Sequence, residues 1–270
     1  VCNHQNERGG FDCKTLPVMN RLEFIDWIQN LPAAEYYSMP SALKKIILFD
    51  MMETLVQDPW PAAILPLLAK RRLDLDEFSA ARTPDNFLRF EAGLINEYDF
   101  IRQYYRRDLR PQLRQQLPRP ERIRKELYRS PIRLLSGVDA LLQDLKARQP
   151  QAGFHLGLAS NYSMWYPHIL DQHARLLRDG MDFLFFSCEM GRRKPDIRFY
   201  QLIQDSLARR FQVTAAELQI WFADDRPENL MAPREMGWHT YQIQHRDVPA
   251  MQKALQGFIS YPMFAPADES

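Results

Sequence analysis

Six side chains in this sequence of 270 residues have the types and the spacing to act together on an anion. Asp50 closes the apolar run "KKIILFD", Ser160 and Asn161 close "FHLGLASN", Lys194 sits in "GRRKPD", and Asp224 and Asp225 close "LQIWFADD". A carboxylate can attack an electrophile, a hydroxyl can donate a hydrogen bond and a lysine supplies a compact positive charge. Each position also has a plain reading by itself. An acid pair after a strand caps a turn or a helix, Ser160 caps the helix that follows, and Lys194 before Pro195 is an exposed lysine. Asn229 either caps a turn or holds Asp225 in place. The readings part on one question, which is whether these segments converge.

The intervening elements predict that they do. From Pro131 onward the pattern alternates: "GVDALLQDLKAR" reads as helix, "FHLGLAS" as strand, "YPHILDQHARLLRD" as helix and "DFLFFSC" as strand. "DIRFYQLIQDSLARRF" then reads as helix, "LQIWFAD" as strand, "PENLMAPREMG" as helix and "HTYQI" as a last strand. Continuous apolar strands separated by helices imply an α/β fold with a parallel sheet covered on both faces. In such sheets reactive groups collect beyond the carboxyl ends of the strands, and that is where all six residues fall. Between Asp50 and about Arg133 the chain is helical in period and rich in proline, which marks an insertion. Ahead of the first strand, "NRLEFIDWIQNL" has helical spacing and belongs to an accessory segment. The expected boundaries are an accessory segment over 1–42, a core over 43–57 and 131–270, and a helical insertion over 58–130.

Composition narrows the partners. A formal net charge of +1, with 46% hydrophobic and 26% charged residues, describes a globular chain and argues against a general polyanion binder. No nucleic-acid partner is expected. No apolar run approaches the roughly 20 residues of a membrane span, and the first residues lack the basic and apolar regions of a secretory leader. Cys2 and Cys13 lack the short spacing of a zinc or redox pair, and Cys188 lies in an apolar stretch, as an inert buried thiol does. A reducing, cytoplasmic setting fits, or a plastid in a photosynthetic eukaryote. Oligomeric state is not encoded.

The four segments "ILFDMMETL", "LGLASN", "RRKPD" and "IWFADDRPEN" occur in the order and spacing of the haloacid dehalogenase superfamily, which the chain resembles from Lys44 to about Gln244. The resemblance implies a Rossmann-like core with a central parallel sheet and an inserted α-helical cap of the C1 type. It implies a phosphatase in which Asp50 attacks phosphorus and forms an aspartyl-phosphate, Ser160 donates to the phosphoryl oxygens and Lys194 neutralises them. Magnesium would be held by Asp50, the Met52 carbonyl and Asp225, with Asp224 either near the ion or orienting Lys194. Thr54 and Asn161 fall with the substrate-binding positions. Physical chemistry agrees with these roles. A carboxylate attacking a phosphate dianion needs positive charge on both reactants, and magnesium favours oxygen ligands.

One position departs from the usual phosphatase pattern. Two residues after the nucleophile the family places an aspartate that passes protons; here the residue is Met52, whose thioether carries none. Loss of such a group costs about 10² to 10⁴ in rate. Three outcomes follow: a slow phosphatase with a borrowed proton, a substrate with a good leaving group, or a ligand-binding or interaction module without turnover. Glu53 is a poor lender because its side chain should point away from that of Met52. Dehalogenases of the superfamily also lack the second acid, but they do not keep the acidic pair that Asp224 and Asp225 form. "FDMMETLVQDP", "SNYSMWY" and "FADDRPEN" resemble a plant and bacterial branch whose plastid members are flavin mononucleotide hydrolases, so that ester is the expected small phosphorylated substrate. Tyr162, Trp165 and Tyr166 then become candidates to meet a ring. The arginines and tyrosines of "FIRQYYRRDLRPQLRQQLPRPERIRKELYR" could contact an anionic aromatic ligand, or form a solvated basic face over core tyrosines.

Overall fold

Strand β1 (Lys44–Phe49) shows how the sheet is built from a run with no polar alternation. Ile46 and Leu48 enter one apolar cluster, while Ile47 and Phe49 enter another on the opposite face. Successive side chains point to opposite sides, so a continuously apolar strand is one covered twice. The structure, a computed structural model, describes residues 43–260; the accessory segment over 1–42, its expected helix, Cys2 and Cys13 lie outside the described residues.

After β1 come six helices, α1 (Trp60–Ala69), α2 (Leu75–Ala81), α3 (Asn86–Glu91), α4 (Glu97–Arg102), α5 (Pro111–Gln116) and α6 (Pro120–Arg129). Their starts are locally encoded. The Asp74 side chain accepts from the Glu77 amide at 2.7 Å and the Asn96 side chain from the Asp99 amide at 2.9 Å, and α5 and α6 each begin on proline. These helices bury a cluster of their own around Ile64, Phe78, Phe90, Phe100 and Leu127.

The chain then runs through α7 (Val138–Ala152), β2 (Phe154–Ser160), α8 (Pro167–Gln172), a π-turn (Ala174–Arg178), β3 (Phe183–Phe186) and α9 (Ser187–Met190). It continues through α10 (Ile197–Phe211), β4 (Leu218–Asp224), α11 (Glu228–Glu235), β5 (His239–Gln242) and α12 (Val248–Ser260). All five strands are parallel, in the order β3-β2-β1-β4-β5. The order reverses around β1, the topological position at which sheets of this kind bind ligands beyond the carboxyl ends of their strands. Lys45 is 1% exposed on β1 and donates to the Phe258 and Ile259 carbonyls at 3.2 and 2.9 Å, so a buried cation satisfies the end of α12. No helix among the described residues is long and apolar enough to cross a membrane.

Two expected elements differ. The helix read over 166–179 breaks at His173, which leaves helical geometry and bonds through Nε2 to the Ile132 carbonyl at 2.8 Å. The strand read over 182–188 stops at Phe186, because the Ser187 hydroxyl is drawn to the Glu91 carbonyl at 2.6 Å and the backbone turns into α9. Cys188 is therefore in a helical turn; it is buried, and burial pushes its thiol up to about 12, which keeps it inert.

Entry into β3 is held by Asp182. Its amide donates to the Leu156 carbonyl at 2.8 Å, and its carboxylate accepts the Leu156 amide at 3.0 Å, with Lys146 at 3.5 Å. Burial pushes this carboxyl up, but His155, the Leu156 amide, Lys146 and Gln149 outweigh it and hold the pKa at about 2. A depressed carboxyl contributes stability that is present above its unfolded value near 3.8 and lost as pH falls toward 2. Discounted for partial exposure, the contribution is about 1 kcal/mol. Urea unfolding of Asp182→Asn should show that deficit at pH 7, with the gap to wild type closing between about pH 4 and pH 2; a gap constant across that range would remove the electrostatic account.

Candidate active site

Asp50 leaves β1 in a loop that closes on itself. The Leu55 and Val56 amides both donate to the Met51 carbonyl at 3.0 Å, the Glu53 amide donates to the Val56 carbonyl at 2.7 Å, and Glu53 adopts a φ of +56°. The Asp50 amide donates to the Ala223 carbonyl at 2.8 Å, which ties this loop to the end of β4. Lys194 arrives from the segment between α9 and α10 and is 1% exposed. Its ammonium lies 2.8 Å from Asp50 Oδ1 and 2.5 Å from Asp224 Oδ2, and donates to the Ala159 carbonyl at 2.9 Å. Residues from three strand ends and a loop, far apart in the chain, thus meet around one buried cation.

Charge in this cluster is unbalanced. Asp50, Asp224 and Asp225 offer carboxylate oxygens within 4.8 Å of one another, against the single charge of Lys194. Burial raises the Asp50 pKa, a rise that Lys194 opposes and Asp224 assists. Burial lowers a lysine, but Asp50 and Asp224 override that and leave Lys194 above its usual value. Asp225 is pushed up to about 6 by burial first and then by Asp50 and Asp224. A carboxyl raised on folding opposes folding at neutral pH, so a positive ion beside it would be favourable. An all-oxygen donor set with surplus negative charge fits a hard divalent cation.

Asp224 is already spoken for. Oδ1 accepts from the Arg226 amide at 2.9 Å and the Asn229 amide group at 3.0 Å, and Oδ2 accepts from Lys194 and from Asn229 at 3.1 Å. Of the two places expected for Asp224, near the ion or orienting Lys194, its bonds are those of the second, and Asn229, expected on Asp225 or a turn, holds Asp224. Asp50 and Asp225 remain as the acids with oxygen to spare.

The other expected site residues divide. Ser160 is 1% exposed and stands close enough to Asp50 to favour its ionised form, yet its hydroxyl completes no hydrogen bond. It does not cap the next helix. The Thr54 hydroxyl, in the nucleophile loop, is buried and equally without a partner. A buried hydroxyl left unpaired costs about 1 to 3 kcal/mol, so both have donors to offer a ligand oxygen. Asn161 differs from its expected substrate contact: Oδ1 accepts from the Lys194 amide at 2.8 Å and Nδ2 donates to the Lys194 carbonyl at 2.9 Å, clamping the lysine's backbone. Trp165 is 6% exposed, its ring centroid 5.1 Å from that of Phe90 and 5.6 Å from that of Phe100, and its indole donates to Glu97 at 3.0 Å. This residue, expected to meet a ring, packs into the helical insertion. Tyr162 packs against both that cluster and the sheet core, and burial then the Asp58 charge raise its phenol. Tyr166 lies flat on Phe186 with centroids 4.0 Å apart.

Glu53 is removed as a proton source. Its carboxylate accepts from Arg246 at 2.7 and 2.6 Å and from the Asp58 amide at 2.8 Å. Met52 is partly buried against the sheet core.

No family model matches the chain. A protein of Arabidopsis thaliana named flavin mononucleotide hydrolase 1, a chloroplast protein by that name, is 30% identical over 192 residues, which span 71% of this chain and 69% of that one. A HAD family enzyme of Bacteroides thetaiotaomicron, solved in complex with magnesium and inorganic phosphate, superposes with a TM-score of 0.54 at 17% identity, covering 77% of this chain and 98% of that chain. A protein of Porphyromonas gingivalis described as a HAD-like hydrolase gives a TM-score of 0.54 at 21% identity, covering 80% of this chain and 99% of that chain. The curated relative carries the sequence likeness and the solved structures carry the fold: this chain belongs to the haloacid dehalogenase (HAD) superfamily of hydrolases.

Proposed function

We propose that the chain is a magnesium-dependent phosphatase acting on a small phosphorylated metabolite through an aspartyl-phosphate on Asp50, with flavin mononucleotide the first ester to test. The observation that carries this reading is the contact of Lys194 with both Asp50 and Asp224 inside a cluster of three acids. An Asp50 oxygen forms the bond to phosphorus as the ester oxygen leaves with its electron pair. Water then attacks phosphorus, regenerating Asp50 and releasing phosphate. Lys194 neutralises the phosphoryl oxygens, and the unpaired hydroxyls of Ser160 and Thr54 donate to them. Asn161 and Asp224 keep Lys194 in place.

Asp50, Asp225 and the Met52 carbonyl would hold magnesium. When bound, the ion offsets the repulsion between an anionic nucleophile and an anionic phosphate. With Met52 unable to give a proton and Glu53 committed to Arg246, the leaving oxygen takes its proton from water. Esters with acidic leaving groups should therefore turn over faster than flavin mononucleotide, a primary alkyl ester for which slow release is expected. The helices over 58–130 serve as the cap, and among the described residues the core comprises 43–57 and 131–260. Met52 favours one rival, a phosphate-ester-binding member without turnover.

Phosphate release from a metabolite panel that includes flavin mononucleotide, with magnesium and with chelator, separates the two. The enzyme releases phosphate only with the ion, and the rival binds an ester in either case without releasing any. The ion's place is checked apart from turnover. Magnesium at a hundredfold excess over its Kd should raise Tm by about 5 to 10 °C, and Asp225→Asn should remove most of that rise. A rise that survives the substitution puts the ion elsewhere.

A further inference from the structure

Glu91 is a buried acid that no step above uses. It ends α3 and is 7% exposed, and its Oε2 accepts a hydrogen bond from Arg193 Nε at 2.8 Å, from 102 positions further along the chain. Its carbonyl accepts the Ser187 hydroxyl at 2.6 Å, and the oxygen of that hydroxyl accepts the Tyr162 amide at 3.0 Å. One residue of the helical insertion is thereby bonded to the residue before Lys194 and, through Ser187, to the residue after Asn161. Those two segments are already clamped together by the paired Asn161 and Lys194 hydrogen bonds.

The junction has little give. Gly93, two residues beyond Glu91 at a φ of +66°, comes so close to the core that a Cβ there would lie 2.0 Å from the Cys188 carbonyl oxygen. Backbone meets backbone at this point, so the helical layer cannot move inward here without displacing the Ser187 turn, and the Ser187 hydrogen bond to the Glu91 carbonyl opposes separation. The Arg193 guanidinium spends Nε on Glu91 and is partly exposed, with 29% of its side chain in solvent. A carboxylate as buried as Glu91 needs that partner, because an uncompensated charge in the interior is strongly unfavourable.

We propose that Glu91 is a positioning residue: through Arg193 it locks the helical insertion to the Lys194 segment, so that placement of the insertion and placement of the ammonium are one event. The proposal rests on the reading of Lys194 as the group that meets phosphate. Misplacement of such a group by about 1 Å is enough to cost on the order of 10²-fold in rate.

The experiment compares wild type with Glu91→Gln, Arg193→Gln and the double variant at a temperature where all are folded. Glu91→Gln leaves only the partly exposed Arg193 unpaired, and the double variant, which leaves no buried charge uncompensated, guards against failure of Arg193→Gln to fold. Each single variant should lower kcat about tenfold or more while KM stays within about threefold. The double variant should be no worse than the poorer single one, because both remove the same pair. Backbone amide exchange is read independently of turnover: Glu91→Gln should speed exchange over 161–163 and 187–194 as well as over 86–93. Exchange changed only over 86–93, losses that multiply in the double variant, or a rise in KM alone for Arg193→Gln would each overturn the proposal, the last by making Arg193 a substrate contact. A wild type that hydrolyses no ester removes the phosphatase reading, and the exchange pattern still decides the coupling.

Discussion

Asp50→Asn releases no phosphate above background from any ester the wild type cleaves, a loss of roughly 10⁴-fold or more, the scale seen when a nucleophile is removed. The amide fills nearly the same space but is a poor nucleophile and cannot form a stable acyl phosphate. The fold should survive, because Lys194 keeps Asp224 at 2.5 Å and the Ala159 carbonyl at 2.9 Å. Removal of one of three crowded acids also relieves repulsion on Asp225, whose pKa of about 6 owes part of its rise to Asp50. Retained Tm with lost turnover therefore marks a chemical role. Unchanged turnover would end the proposed mechanism outright, and a collapse of Tm would assign Asp50 to folding.

Met52→Asp restores a proton donor, and its expected result is a gain. Turnover of alkyl phosphates should rise by about 10²-fold, toward the 10² to 10⁴ that a positioned acid supplies. Aryl phosphates, whose leaving groups need little help, should gain less than about tenfold. The new carboxyl would join a cluster of three acids, and like charges keep such a group protonated to higher pH, which suits an acid catalyst. Met52→Asn has similar polarity and size without a proton to pass, and it should leave both rates where they are. Equal gains on alkyl and aryl esters would show that proton transfer was never the limit. Some stability is given up in the exchange, since the Met52 side chain packs against the sheet core.

Met52 and Glu53 illustrate what could be read along the chain and what could not. That a thioether stands in the proton-donor position is a statement about one residue, visible in "FDMMETL". That Glu53 cannot take its place depends on Arg246, a residue 193 positions away. Asn161 shows the same limit. Its position at a strand end marked it as belonging to the rim, but its two hydrogen bonds to Lys194 make it a clamp. Trp165 was legible as an aromatic near the rim; its burial against Phe90 and Phe100 follows from helices inserted far upstream.

The one-dimensional pattern by itself determined the parallel sheet, the helical insertion and the six rim residues, because strand period, apolar runs and strand-end polar residues are local signals that survive without knowledge of partners. Tertiary structure alone decided that Asn229 holds Asp224, that the Ser160 and Thr54 hydroxyls are left unpaired, and that Glu91 meets Arg193. Hydrogen bonds and buried charge pairs depend on distances of a few ångströms between segments a hundred residues apart, and no periodicity in a chain carries that information.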